Sequence, residues 1–189
     1  MTETALPTRQ ESWELLCKYT EKPGLRGHAL CVEAAMRWYA GHYGEDEELW
    51  GQTGLLHDFD YERYPSAEDH PFRGVEILRE RGYPETLCDA ILGHAPHTGH
   101  PRTTRLAHAL FACDEISGFL VACALVKPSK KIGEVQWKSV RKKLKDKAFA
   151  RGVSREDVRL GAEELGVALE EHVGNVLEAL RGISDELGL

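Results

Sequence analysis

Apolar residues recur along most of this chain at intervals of three and four, which is the spacing of an amphipathic helix. No convincing run shows the period of two that a half-buried strand requires. The pattern therefore predicts an all-α protein built as a single-domain helical bundle. A first helix follows the capping box Thr8-x-x-Glu11 and ends at Pro23-Gly24. The next five predicted helices cover about residues 26–43, 46–57, 69–81, 84–95 and 103–126.

The composition changes sharply after residue 126. Residues 127–151 hold ten Lys or Arg and two acidic residues, a local balance of +8 that leaves −15 on the remainder of a chain whose net charge is −7. Ser154-x-x-Asp157 then caps a helix to about residue 165, and an apolar stripe over residues 167–180 predicts another. We expect residues 1–126 to form the helical core, with residues 127–189 as a basic linker and C-terminal helices packed on it.

Composition narrows the classes of function. With 42% hydrophobic and 29% charged residues, a chain of 189 residues suits one soluble globular domain. The negative net charge makes nucleic acid an unfavoured partner. Five widely spaced cysteines without a Cys-x-x-Cys pair indicate neither a disulfide framework nor a zinc ribbon. Because residues 1–10 lack the apolar run of a secretory signal, we expect a cytoplasmic protein with reduced thiols.

The apolar segment 106–126 is long enough to be considered as a membrane span. Asp114 and Glu115 lie near its middle, where one acidic residue costs roughly 2.5–3.5 kcal/mol on insertion scales. A buried helix of a soluble core fits this segment better, so we expect no membrane association.

Three polar groups stand where the predicted helices are otherwise apolar. The pair His57-Asp58 comes at the end of the third predicted helix, directly after an apolar run. His28 shares a helical face with Cys31 and other apolar residues, and Asp114 has mainly apolar neighbours three and four positions away. A buried carboxylate must be protonated, paired with a cation or bound to a metal.

Two more histidines stand near the ends of predicted helices. His70 opens the helix after the charged loop, and His94 lies in the last turn before Pro96. Each alone is more often an ordinary polar terminus, but together they complete a set of nitrogen and oxygen ligands without cysteine. Such a set favours Mn, Fe, Co, Ni or Zn over Mg or Ca. The candidate metal ligands are His28, His57, Asp58, His70, His94 and Asp114.

The order of these residues resembles the HD superfamily of metal-dependent phosphohydrolases, and the resemblance covers about residues 27–125. It implies a helical bundle of the HD-domain type and one or two divalent ions. The added pair His70 and His94 looks like the family's six-ligand, two-metal subgroup. The resemblance further implies that His28, His57, Asp58 and Asp114 hold one ion, while His70 and His94 hold a second, with Asp58 bridging.

Two short motifs depart from better-known branches of the superfamily. Phe59-Asp60-Tyr61 follows the His-Asp pair where Ile-Gly-Lys is common, so a lysine at that place is absent. Gly82-Tyr83-Pro84 matches a signature of the cyclic-dinucleotide phosphodiesterases but precedes His94, and we interpret it as a turn and a helix start.

The resemblance implies hydrolysis of a small anionic phosphorylated metabolite or nucleotide. Beside Asp58, we expect Glu62 to transfer a proton and Arg63 to contact phosphate, because both follow the His-Asp pair in a charged loop. Lys127 and Lys130 are candidate substrate contacts at the start of the basic segment. Its helical face of Lys138, Arg141, Lys142 and Lys145 is more simply a solvated surface.

Two alternatives share the same ligand set. One is a di-iron oxygenase, and the other is a binding or regulatory module that keeps a metal for structure alone. The apolar stripe of residues 169–180 could close the core or pair two subunits in a homodimer.

Overall fold

The computed structural model describes residues 6–189, and these residues form ten α-helices and no strand. The predicted all-α fold is therefore confirmed. The helices are α1 (Arg9–Tyr19), α2 (Pro23–Tyr43), α3 (Glu47–Leu56), α4 (Phe72–Glu80), α5 (Glu85–His94), α6 (Arg105–Leu125), α7 (Trp137–Lys145), α8 (Arg155–Leu165), α9 (Leu169–Gly182) and α10 (Ser184–Leu187).

Side-chain caps set the starts of several helices. Thr8 and Glu11 form the expected capping box of α1, while Asp46, Thr104 and Ser154 each accept a backbone N–H at the starts of α3, α6 and α8. Helix α3 ends at Leu56, so His57 is the residue directly after it. The chain therefore delivers the His-Asp pair at a helix end, as the sequence indicates.

The helix predicted for residues 69–81 starts later, at Phe72. Pro71 accounts for the difference, because a proline disfavours the helical conformation in the residue before it. His70 consequently lies in the turn that precedes α4 and not in the helix itself.

Helix α6 runs through the middle of the core. By length and hydropathy it could cross a membrane, the one such helix among residues 6–189, yet 67% of its most apolar window is buried inside the fold. It packs against α2, α5 and α8, and most of its apolar side chains belong to one continuous hydrophobic cluster. Helix α6 is therefore a core helix.

The C-terminal helices share this core. Val158 of α8 and Val173, Val176 and Leu177 of α9 are buried in the same hydrophobic cluster. The basic helix α7 buries only Val140 and Leu144, and its Lys138, Lys142 and Lys145 are exposed. The division of the chain at residue 126 stays a prediction.

A buried histidine fastens α9 to α2 and α6. His172 is fully buried, its Nε2 donates to the carbonyl of Ala112 at 2.8 Å, and its Nδ1 accepts from the hydroxyl of Tyr39 at 2.6 Å. Burial lowers the pKa of His172. The ring is therefore neutral in the folded protein and uses both nitrogens.

Replacing His172 with alanine should destabilise the fold by about 3 kcal/mol, because it opens a cavity and removes two buried hydrogen bonds, one with Tyr39 and one with Ala112. Since the folded pKa is the lower one, His172 makes stability fall as the pH drops below its unfolded value of about 6.5, and the variant should lose that part of the pH dependence. Urea unfolding between pH 5 and 8 measures both effects. His42→Ala, at an exposed position of α2, should change stability by less than about 1 kcal/mol; equal losses in both variants would contradict the assignment.

Candidate metal centre

The structure brings all six predicted metal-ligand side chains together inside the bundle. They come from five places in the chain: α2, the end of α3, the turn before α4, the end of α5 and the middle of α6. The polar contacts between these side chains join the Nε2 atom of a histidine to a carboxylate oxygen of Asp58 or Asp114. We call this set the histidine–aspartate cluster: His28, His57, Asp58, His70, His94 and Asp114.

Asp114 organises one half of the cluster. Its Oδ1 atom lies 3.0 Å from Nε2 of His28 and 3.4 Å from Nε2 of His57. These three residues each offer a ligand atom within 4.8 Å of the others, close enough to share one cation. Helix α2 supplies His28 and α6 supplies Asp114, so the packing of these two helices sets this half.

Asp58 joins this half to the other. Its Oδ2 atom lies 3.5 Å from Nε2 of His57, and its Oδ1 atom lies 3.2 Å from Nε2 of both His70 and His94. His57, Asp58 and His94 form a second group with all ligand atoms within 4.8 Å. One carboxylate therefore faces two groups of imidazoles with its two oxygens, the arrangement expected of a bridging ligand.

In three of the histidines, the other ring nitrogen, Nδ1, already donates a hydrogen bond. Nδ1 of His57 donates to the carbonyl of Gly54 at 2.8 Å, and Nδ1 of His94 donates to the carbonyl of Ile91 at 2.5 Å. Nδ1 of His70 donates to Oδ1 of Asp60 at 2.8 Å. A neutral imidazole carries a single N–H, so these bonds leave a lone pair on each Nε2.

Hydrogen-bond acceptors therefore face one another within the cluster. Lone pairs on Nε2 face carboxylate oxygens, and Nε2 of His57 is fully buried without a hydrogen-bond partner among the described residues. Such an arrangement requires extra protons or a cation between the groups. Metal-ligating histidines characteristically donate their other N–H to a carbonyl or carboxylate, as these three do. The residues present fit a divalent transition metal.

Asp60 is a supporting residue that the sequence analysis did not identify. Its side chain is only 1% exposed, and its second oxygen accepts the backbone N–H of Gly74 at 2.8 Å. Asp60 thereby fixes the ring of His70 and ties the loop after α3 to α4. Its signal in the sequence is weak, because an aspartate in a charged, aromatic loop is usually exposed.

One side of the cluster is open to solvent. The side chains of His28, Asp58 and Asp114 are 22%, 26% and 20% exposed, whereas His57 is fully buried and His94 is 4% exposed. A ligand can therefore approach on the side of the two carboxylates and His28. The buried imidazoles form the floor.

Charges in the cluster shift several pKa values in the absence of a metal. Burial alone would lower the pKa of His57, but Asp58 and Asp114 raise it well above its usual value. Burial would also lower the pKa of His70, but the carboxylates of Asp58 and Asp60 raise it to about 9. Burial would raise the pKa of Asp114, but His57 and His28 lower it.

Metal binding at pH 7 should therefore release about two protons, because His57 and His70 hold protons in the metal-free protein and must lose them to ligate. As the raised pKa values of His57 and His70 imply, affinity should rise with pH up to at least about 9. Calorimetric titration with Zn²⁺ in two buffers of different ionisation enthalpy counts the protons. A binding enthalpy that does not depend on the buffer would contradict this prediction.

The structure places Glu62 at the turn between α1 and α2, and Arg63 against the last turn of α1. The carboxylate of Glu62 accepts the backbone N–H groups of Glu21 and Lys22 at 2.8 and 3.1 Å. The guanidinium of Arg63 donates to the carbonyl of Lys18 and stacks on Tyr19. These contacts give both side chains a structural role, and their predicted roles in proton transfer and phosphate contact stay predictions.

Lys127 and Lys130 follow the end of α6. Lys127 is thirteen residues beyond Asp114, or about 20 Å along a helix at 1.5 Å per residue, which is farther than a lysine side chain extends. The structure therefore does not bring it to the cluster, and Lys127 lines a separate surface cleft with Lys138 and Lys142. The predicted substrate contacts of Lys127 and Lys130 stay predictions.

Comparison with known proteins agrees with the site. The family model of the HD domain matches residues 25–118, about half of the chain, and the match contains all six residues of the cluster. No curated protein and no solved structure matches significantly. The resemblance to the HD superfamily is confirmed, and this chain belongs to the HD-domain family, a superfamily of metal-dependent hydrolases.

Proposed function

We propose that this protein is a metal-dependent phosphohydrolase that cleaves a small phosphorylated metabolite or nucleotide. One observation carries the proposal: three imidazoles, each with Nδ1 already donating, direct Nε2 at the two carboxylates of Asp58 and Asp114. Membership of the HD-domain family supports it, because this superfamily consists mostly of metal-dependent phosphohydrolases.

The residues divide into two groups by what they would hold. His28, His57, Asp58 and Asp114 would hold one ion, and Asp58, His70 and His94 would hold a second. A bound divalent ion of Mn, Fe, Co, Ni or Zn would supply positive charge that lowers the pKa of an attacking water towards about 7.

The chain's own residues would orient the reactants. Asp58 stands at the open side with one oxygen towards each half of the cluster, so it would fix the spacing between the two ion sites, and this spacing would set where water and phosphoryl group are held relative to each other. The buried rings of His57 and His94 exclude solvent from the far side. Asp60 keeps His70 in the tautomer whose Nε2 lone pair faces Asp58.

The test measures metal and turnover together. Wild type, His57→Ala and Asp114→Ala are purified, their metal content is determined by elemental analysis, and each is assayed for phosphate release from nucleotides and sugar phosphates. We expect wild type to carry metal and release phosphate, and both variants to lose the two properties together. His108→Ala is a matched control, because His108 lies on α6 but contacts Glu164 instead of the cluster.

Two results would overturn the proposal. Undiminished metal content in both variants would remove its chemical basis. Retained metal with oxygen consumption and no phosphate release would favour the oxygenase alternative.

A further inference from the structure

A groove of ≈ 370 Å³ borders the open side of the cluster, a volume within the range of small-molecule sites. It lies between the start of α2, the second half of α6 and the last residues of the chain. His28 belongs both to the cluster and to the wall of this groove. The other lining residues are Pro23, Gly24, Gly27, Cys31, Gly118, Val121, Leu125, Leu187 and Leu189.

The same helical faces carry the cluster and the groove. On α6, Gly118, Val121 and Leu125 follow Asp114 by four, seven and eleven residues and so form one stripe with it. At 1.5 Å per residue, the groove begins about 6 Å from Asp114 and continues to about 16 Å. A phosphoryl group at the cluster would therefore direct its ester substituent along this stripe.

The chemistry of the groove is apolar. Apart from His28, its side chains carry no charged group, and Leu125 is 49% exposed although it is a large hydrophobic residue. An exposed apolar surface beside a polar site is typical of a ligand-binding groove. A sugar or a polyphosphate would find few hydrogen-bond partners here, whereas an alkyl chain or an aromatic ring would remove apolar surface from water.

Two glycines line the groove at positions where helix packing does not require a glycine. A Cβ atom added to Gly27 would meet nothing within 4 Å, and one added to Gly118 would come no closer than 3.7 Å to His28. By contrast, a Cβ at Gly54 or Gly161 would meet backbone atoms of a neighbouring helix at 2.8 and 2.7 Å. Helix packing therefore explains the glycines at positions 54 and 161, but not those at positions 27 and 118.

We propose that this groove binds the apolar organic part of the substrate, an alkyl or aromatic group esterified to the phosphate that the cluster receives. This inference rests on the proposed function. It assigns specificity to Gly27, Gly118, Val121 and Leu125, none of which contacts the phosphate.

Binding of two non-hydrolysable probes tests the groove without turnover. Methylphosphonate and n-hexylphosphonate share a head group and differ in the apolar chain. Calorimetry on the metal-loaded protein should show hexylphosphonate binding at least about tenfold more tightly. Gly27→Leu should reduce this preference to less than about twofold while leaving methylphosphonate affinity and metal content unchanged, because its side chain enters the groove.

Two further variants make the result specific. Gly174→Leu places the same side chain at another open helical glycine, on the exposed face of α9, and should keep the full preference. Val121→Ser makes the groove wall polar without adding bulk, and should reduce the preference even if Gly27→Leu folds poorly.

The outcomes separate this inference from the proposed function. Equal binding of both probes by wild type, or equal effects of Gly27→Leu and Gly174→Leu, would overturn the groove while the metal centre stands. Failure of both probes to bind would overturn the groove together with an anion-binding metal centre. Hydrolysis of simple phosphoesters without any chain-length preference would contradict the groove alone.

Discussion

On the proposed function, replacing Asp58 with asparagine should remove the metal that the cluster holds and lower phosphate release by about three orders of magnitude. Asp58 contacts the Nε2 atoms of His57, His70 and His94, so one substitution weakens both halves of the cluster. An amide has one oxygen and no charge, and its NH₂ group cannot ligate. Elemental analysis and a phosphate-release assay measure the two losses.

The stability of the Asp58→Asn variant provides an independent measurement. Metal that binds only the folded state raises the melting temperature, and we expect added Zn²⁺ or Mn²⁺ to raise it for wild type but not for the variant. Asp89→Asn is the matched control, because Asp89 lies on α5 with a half-exposed side chain and pairs with His100, which does not belong to the cluster. A variant of Asp58 that keeps both ions would show that the carboxylate does not bridge.

Replacing Gly54 with alanine should destabilise the protein by about 1–3 kcal/mol, although alanine is the better helix former. The new Cβ atom would lie 2.8 Å from the carbonyl oxygen of Val32 and 2.9 Å from Cγ of Met36. Helices α2 and α3 would have to separate. The carbonyl of Gly54 also accepts from Nδ1 of His57, so the same movement should lower metal affinity by roughly 10–100-fold.

The control for this prediction is Gly174→Ala. Nothing lies within 4 Å of a Cβ atom at that exposed helical position, so alanine there should be neutral or stabilise by up to about 1 kcal/mol. Urea unfolding and zinc titration measure the two properties. If Gly54→Ala were as stable as wild type and bound metal normally, the close approach of α2 and α3 would not position His57.

Much of the fold is predictable from the sequence because local signals decide it. The capping residues Thr8, Asp46 and Ser154 mark helix starts, and the apolar period of α6 marks a core helix. His70 is the exception, because the helix after it begins only at Phe72, and a pattern of apolar spacing does not register the effect of the intervening proline.

The cluster is predictable to the extent that its residues break an apolar pattern. His28 and Asp114 stand on apolar helical faces, and their burial cost points to a shared cation. The packing of five segments decides which oxygen of Asp58 faces which histidine. This pairing cannot be predicted from the sequence. Asp60 is concealed for the same reason, because only the fold shows that its polar loop is buried.

The charged residues in the loop after α3 and after the end of α6 show another limit of prediction from the sequence. Charge alone suggests Glu62 as a proton-transfer group and Arg63, Lys127 and Lys130 as contacts for a phosphate, but charge does not specify the direction in which a side chain points. Glu62 bonds to the turn between α1 and α2, and Arg63 bonds to the last turn of α1. The distance of Lys127 from the cluster, by contrast, follows from the length of α6 and could have been estimated from the helical rise.

An anomalous-difference map from crystals of the protein grown with Mn²⁺ or Zn²⁺ would show whether the cluster holds metal. We expect a peak within ligand distance of His57, Asp58 and Asp114, and a second peak beside His70 and His94 that shares Asp58. A well-occupied metal elsewhere, with no peak among these side chains, would contradict it.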